Sequence, residues 1–197
     1  MMINKKIVLA SGSPRRQSLL RQIGIDFDVK ESGVEEVFDH TKKPEENVVL
    51  LSRRKAETVA ASYDNAIIIG ADTIVVLDKD ILGKPLNEQE AVSMLQRLSG
   101  RTHVVYTGFT LVDRPSNCST MAFEATKVTF RKLSDDEITE YVRSGAPMDK
   151  AGAYGIQDDY GAVFVEKVDG CFYNVVGLPL TRFYMTLLRF QQQLQIT

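Results

Sequence analysis

The hydrophobic pattern divides the chain into short continuous apolar runs and longer amphipathic ones. Ile7-Val8-Leu9-Ala10 and Ile67-Ile68-Ile69, resumed at Ile74-Val75-Val76-Leu77, are rich in β-branched residues and unbroken by polar ones, as in strands covered on both faces. Leu19, Leu20 and Ile23 recur at helical spacing between Ser13-Pro14, a cap followed by a first helical residue, and Gly24, a helix end. A second helix is predicted over 44–63, with Val48, Leu51 and Val59 on its buried stripe. A third is opened by Asn87 with Glu90 three residues on. It buries Ala91, Met94, Leu95 and Leu98 and closes at Ser99-Gly100. Ser134-Asp135-Asp136-Glu137 is a capping box for a helix through Val142, with Gly145 beyond it. Pro179 starts a last helix, predicted to bury Leu180, Phe183, Tyr184, Leu187 and Leu188.

Between these helices, Asp26–Lys30 reads as a second strand and 31–43 as irregular. Leu77-Asp78-Lys79-Asp80-Ile81-Leu82 reads as a tight hairpin despite lacking glycine. Two long strands are predicted over 102–112 and 118–130, the second with period-two alternation at Ala122, Glu124, Thr126, Val128 and Phe130. Residues 162–168 form another strand. Strands alternate with helices, but the long mid-chain pair introduces an antiparallel portion. The expected architecture is therefore α/β, a mixed twisted sheet flanked by helices. No repeat, low-complexity stretch or long linker interrupts it, so 1–197 is expected to be one domain.

Composition narrows the class. A net charge of -2 leaves no broad basic face, which argues against sequence-independent nucleic-acid binding. Cys118 and Cys171 are too few for a disulfide framework, and His40 and His103 lie far apart with no cysteine near, so no zinc site is expected. No apolar run approaches membrane-spanning length, and the run after Lys5-Lys6 is too short for a signal peptide. The expected location is the cytoplasm.

The candidate chemistry lies where polar residues break the pattern. Asp72 follows a core strand, in Gly70-Ala71-Asp72-Thr73, where a carboxylate either caps a turn with Thr73 or marks where the strand opens onto polar chemistry. Arg15 and Arg16 fall in the first turn of a helix, whose terminus is already partly positive. They are either a solvated pair or, with the free N–H groups, an anion site suited to phosphate. Lys55 falls on an apolar stripe, so it either snorkels or faces a cleft holding an anion. Lys84, in Gly83-Lys84-Pro85, is an exposed loop lysine or a constrained phosphate contact. Glu35 and Glu36 lie in a loop where acids are ordinarily solvated. Gly152 and Gly155 punctuate 149–157, whose backbone is expected to approach a ligand closely. Several cations with carboxylates, and neither a histidine nor a side-chain nucleophile, suit triphosphate recognition. Cations neutralise phosphates, carboxylates hold a bridging divalent ion, and a carboxylate takes the proton of an attacking water. No G-x-x-x-x-G-K-[ST] loop is present.

These residues stand in motifs with a family likeness: Ser11-Gly12-Ser13-Pro14-Arg15-Arg16, Gly70-Ala71-Asp72-Thr73, Gly83-Lys84-Pro85, Leu98-Ser99-Gly100-Arg101-Thr102-His103, the run from Asp149 to Gln157, and Val176-Gly177-Leu178-Pro179. In order and over nearly the whole chain, they resemble the Maf family of nucleoside triphosphate pyrophosphatases. Ala153-Tyr154-Gly155-Ile156-Gln157 is similar to the branch acting on dTTP and UTP. The resemblance implies a fold shared with inosine triphosphate pyrophosphatases, with two lobes around a cleft, often dimeric. It implies a house-cleaning cleavage between the α- and β-phosphates to a nucleoside monophosphate and pyrophosphate, with Mg²⁺ or Mn²⁺ as cofactor; modified nucleotides are further candidate substrates. It makes Asp72 the proton acceptor and a metal ligand, and Glu36 a second functional acid, here placed on the metal. Arg15, Arg16, Lys55 and Lys84 match the substrate's phosphate side, Arg15, Thr73 and Gln157 match selectivity positions, and Ser11 is counted with these substrate-binding and specificity residues. Here Asp158-Asp159 follows the glutamine where the family usually has glycine, either a harmless loop extension or a change in selectivity or metal binding. The rival readings are a non-catalytic nucleotide-sensing regulator of cell division and a nucleotidyltransferase that needs an acceptor other than water.

Overall fold

The computed structural model describes residues 5–157 and 160–196, so Asp158 and Asp159 lie outside the described residues. Seven strands form one mixed sheet flanked by helices, in the order β2-β1-β3-β5-β6-β7 with β4 paired to β3. In chain order the elements are β1 (Ile7–Leu9), α1 (Pro14–Gln22), β2 (Asp28–Val29), α2 (Pro44–Ala60), β3 (Ala66–Leu77), β4 (Asp80–Leu82), α3 (Glu88–Leu98), β5 (Thr102–Arg114), β6 (Ser119–Phe130), α4 (Asp135–Arg143), β7 (Val165–Asp169), α5 (Phe172–Val176) and α6 (Leu180–Ile196). The α/β class expected from the pattern is the class observed. Among the described residues no helix is long and apolar enough to cross a membrane.

Contacts group the chain into two compact units, and β3, β5 and β6 each contribute to both. The first comprises residues 5–72, 107–124 and 177–196. In it, β1 pairs in parallel with β2 on one side and with the first half of β3 on the other, through Val8↔Ile68 and Leu9↔Ile69. Helix α2 lies against glycines. A Cβ on Gly70 of β3 would fall 2.1 Å from the Ser52 carbonyl oxygen, and one on Gly108 of β5 would fall 2.6 Å from that of Val48. Real side-chain carbons do not approach backbone so closely, so both positions must be bare for the helix to seat.

The second unit comprises residues 73–106 and 125–176. Its core gathers Val75, Leu95, Val128, Phe130, Tyr141, Tyr154 and Phe164, with Phe130 edge-on to Tyr154 at 4.7 Å between ring centres. The hairpin without glycine forms as predicted, with Leu77 opposite Asp80. Asp78 takes a φ of 57°, the left-handed conformation that Asp tolerates better than most residues. Helix starts also follow the predicted caps: Ser13, Asn87 and Ser134 side chains each accept a backbone N–H of the first turn.

Several expectations change. Helix α2 ends at Ala60. The second strand shortens to Asp28–Val29, an exposed edge that pairs over two residues only. The strand predicted over 162–168 forms from Val165 only, as β7; its first three residues belong to a 3-10 turn, Tyr160–Phe164, that swings Phe164 onto Phe130 and Tyr141. On α6 the buried stripe is Leu180, Phe183, Leu187 and Phe190; Tyr184 lies one step around the helix and is exposed, and Leu188 is only half-buried.

Candidate active site

The site grows out of the seat between α2 and β3. Side chains alternate along a strand, so Ile68, Gly70 and Asp72 share the face that Gly70 opens to the helix. On α2, Ser52, Lys55, Ala56 and Val59 follow the i, i+3, i+4, i+7 spacing of one stripe, and all are buried. Lys55 therefore meets Asp72, with Nζ 2.5 Å from Asp72 Oδ1 and 2.7 Å from Glu36 Oε1. Asp72 is only 3% exposed and Lys55 6%. Two expectations are corrected here. Asp72 neither caps a turn nor ends a strand: β3 continues through it to Leu77. Lys55 does not snorkel: it is buried and paired with Asp72, because burial of a carboxylate opposite it makes an ion pair the stable arrangement. Glu36 is brought in from its loop by the same ammonium.

Arg16 approaches from helix α1. Ser13 Oγ accepts the Arg16 N–H at 3.5 Å, and Ser11 Oγ accepts from both the Ser13 N–H and Arg16 Nη1, at 3.3 and 3.1 Å. Arg16 Nε donates to the Gly177 carbonyl at 3.0 Å, so the guanidinium is held on two sides rather than solvated. Arg15, the next residue back, is half-buried and repels Arg16. The charges of Asp72 and Glu36 draw Arg16 the other way, against a burial that depresses its pKa. The Asp72 carboxyl is pushed above its ordinary range by desolvation. Lys55 and Arg16 restrain that rise and Glu36 adds to it. Ser11, Arg16, Glu36, Lys55 and Asp72 thus form one network of two acids and two cations.

Thr73, Lys84 and Gln157 belong to the second unit. Thr73 is the one half-exposed position of β3. Lys84 is exposed on the loop after β4, and that loop is fastened to the segment ending in Gln157, since the Gly152 N–H donates to the Gly83 carbonyl at 3.0 Å. Gly152 has φ +69°, and a Cβ on it would come 2.9 Å from Val75 Cγ2. Its close approach is therefore made to β3, where a ligand was expected. Sequence reasoning weighed His103 as a zinc ligand and placed it at the end of a family motif, but gave it no role of its own. Its signal lay in the alternation of β5, where His103, Val105 and Thr107 share the buried face.

Asp72 and Glu36 have the chemistry for a hard divalent cation. Among the described residues no group of three or more His, Cys, Asp or Glu side chains makes an all-protein cage. Mg²⁺ commonly takes only one or two protein carboxylates and completes its shell with water and substrate phosphate, so the pair fits such an ion.

The family described as Maf-like protein matches residues 6–190. The chain is 49% identical to a dTTP/UTP pyrophosphatase of Caldicellulosiruptor saccharolyticus, over 89% of this chain and 90% of that protein. It is 50% identical to one of Carboxydothermus hydrogenoformans, over 92% and 97%. It is 48% identical to one of Dictyoglomus turgidum, over 95% and 97%.

Proposed function

Because the chain belongs to the Maf family, we propose that it hydrolyses pyrimidine nucleoside triphosphates, dTTP and UTP, to the monophosphate and pyrophosphate. The observation that carries this reading is the buried Asp72 carboxylate, held beside Lys55 and Arg16 in a chain nearly half identical to dTTP/UTP pyrophosphatases. In this reading Asp72 takes a proton from the attacking water. A carboxylate whose pKa burial has raised is a better base than one in solution, and the cations beside it, Lys55 and Arg16, favour its charged form. Lys55 and Arg16 supply fixed positive charge towards the phosphates, and Ser11 and Gly177 keep the Arg16 guanidinium aimed. Asp72 and Glu36 would hold the divalent ion, which when bound polarises phosphoryl oxygens. Lys84 is assigned to the phosphates and Thr73 and Gln157 to selectivity. The protein is proposed to act in the cytoplasm, as a homodimer.

The test is pyrophosphate release from the common and modified triphosphates, with Mg²⁺, with Mn²⁺ and with chelator. Release from dTTP and UTP, lost on chelation, is expected. Binding without release would favour a nucleotide-sensing regulator, and release only with an added acceptor a nucleotidyltransferase.

Gln157→Ala tests base reading. Uracil and thymine offer an N3–H donor beside carbonyl acceptors, which one amide matches with its oxygen and NH₂. Loss of that pair should lower preference for dTTP over dCTP by about tenfold, with a smaller change in kcat. Equal losses on every triphosphate would remove Gln157 from this role.

A further inference from the structure

Beneath the segment that carries Gln157 lies a buried polar pair. His103 Nε2 and the Tyr154 hydroxyl are 2.7 Å apart, and their rings are edge-on at 5.3 Å between centres. His103 is 1% exposed and Tyr154 5%. The pair sits in an apolar setting: Phe130 stacks edge-on against both rings. His103 Nδ1 has no hydrogen-bond partner among the described residues. That fixes the direction of the bond. With the Tyr154 O–H donating to Nε2, a single group, Nδ1–H, is unmatched. With Nε2–H donating to the hydroxyl oxygen, both the hydroxyl proton and the Nδ1 lone pair are unmatched. Burying an unmatched polar group costs more than the bond returns, so the first arrangement is favoured. Burial lowers the His103 pKa to about 4 and raises that of Tyr154, so both are neutral at physiological pH and the bond persists there.

A polar pair in an apolar core is a directional constraint in a place where packing alone has none. Tyr154 follows Ala153, a non-glycine residue at φ 61°, and Gly152 at φ 69°. Two successive left-handed residues make a sharp bend that the backbone does not adopt unaided. Among the described residues four hydrogen bonds hold the bend: Gly152 N–H to the Gly83 carbonyl, Ala153 N–H to the Lys150 carbonyl at 3.1 Å, the Tyr154 hydroxyl to His103, and Gly155 N–H to the Tyr141 hydroxyl at 3.4 Å. Of these, only the His103 bond fixes the side chain at the exit of the bend, three residues before Gln157.

We propose that His103 is a positioning residue for base selectivity: by accepting the Tyr154 hydroxyl it sets the course of residues 153–157 and so the placement of the Gln157 amide relative to Lys84. The inference rests on the pyrimidine triphosphatase reading above. His103 touches neither nucleotide nor water in this account, and acts through Tyr154 alone.

The experiment compares wild type with Tyr154→Phe, His103→Leu and His103→Gln, measuring kcat and KM for dTTP and dCTP and the thermal midpoint of each. Tyr154→Phe removes one oxygen and keeps the ring, so it perturbs folding least. Tyr154→Phe and His103→Leu should each raise KM for dTTP and lower the dTTP-over-dCTP ratio of kcat/KM by about three- to tenfold, the worth of one hydrogen bond, with kcat within about twofold. The double variant should lose no more selectivity than either single one. His103→Gln carries an amide acceptor near the position of Nε2 and should recover most of the ratio. A purely structural bond would lower the thermal midpoint and leave the ratio unchanged. An unchanged ratio in Tyr154→Phe overturns the proposal while leaving the pyrimidine triphosphatase reading intact. A wild-type protein that releases no pyrophosphate from any triphosphate overturns both.

Discussion

Asp72→Asn is expected to lower kcat on dTTP by about 10²- to 10⁴-fold, the usual contribution of a positioned general base. Binding of dTTP should change far less, because the amide keeps the shape of the carboxyl and removes a negative charge from beside the phosphates. Folding should also survive. The substitution takes a desolvated charge out of the interior, and the Asn carbonyl can still accept from Lys55 Nζ, whose second partner, Glu36 Oε1, remains at 2.7 Å. The readouts are single-turnover pyrophosphate release and equilibrium dTTP binding. A variant with wild-type turnover would show that the proton of water goes elsewhere. A variant that neither turns over nor binds would place Asp72 in substrate retention instead.

How much of this could be read from residues differs between the two units. Helix starts were legible because caps act within four residues: Ser13, Asn87 and Ser134 determine them locally. The inward face of β6 was legible for the same reason, since alternation is a property of the strand itself. The pairing of Lys55 with Asp72 was not, because it depends on contact between elements. The sequence showed a lysine on an apolar stripe and an acid beside a core strand, two anomalies of opposite sign. Nothing local says that they cancel each other. The bridging fact is Gly70, which lets α2 settle close enough for the two charges to meet. Glycine was read there as part of a motif, when its physical work is to admit the Ser52 carbonyl. His103 was missed because its use depends on Tyr154, 51 residues away. Gly152 was assigned to a ligand because a bare backbone looks the same whether a phosphate or Val75 is its neighbour. In each case the anomaly was visible and its partner was not.

The same pairing predicts a large effect on stability. Lys55→Met keeps the length and the apolar stem, so it preserves packing on the α2 stripe while removing the ammonium. Asp72, at 3% exposure, is then left with the weaker attraction of Arg16. Stripping one partner from a buried ion pair costs about 3–5 kcal/mol, which for a chain of this size lowers the thermal midpoint by roughly 6–20 °C. Glu36 adds little to this figure, since its side chain is 35% exposed and water screens it. The loss must depend on pH, and its sign follows from Asp72. Desolvation already holds the folded pKa above the ordinary 3.8, and Lys55 is the strongest force restraining it. Without Lys55 the folded pKa climbs further, so the native state keeps a proton that the unfolded chain has released. Stability from such a group is full below the unfolded pKa and is lost as pH rises through the folded one. The gap in thermal midpoint between wild type and Lys55→Met should therefore be smaller near about pH 5 than near about pH 8, where the unpaired carboxylate must either ionise or hold its proton at a cost. Adding Asp72→Asn to Lys55→Met removes the stranded charge and should recover most of the lost stability at the higher pH while restoring no activity. A gap that is equal at both pH values, or a double variant no more stable than Lys55→Met alone, would mean that Lys55 stabilises the fold through its stem and not through the charge it shares with Asp72.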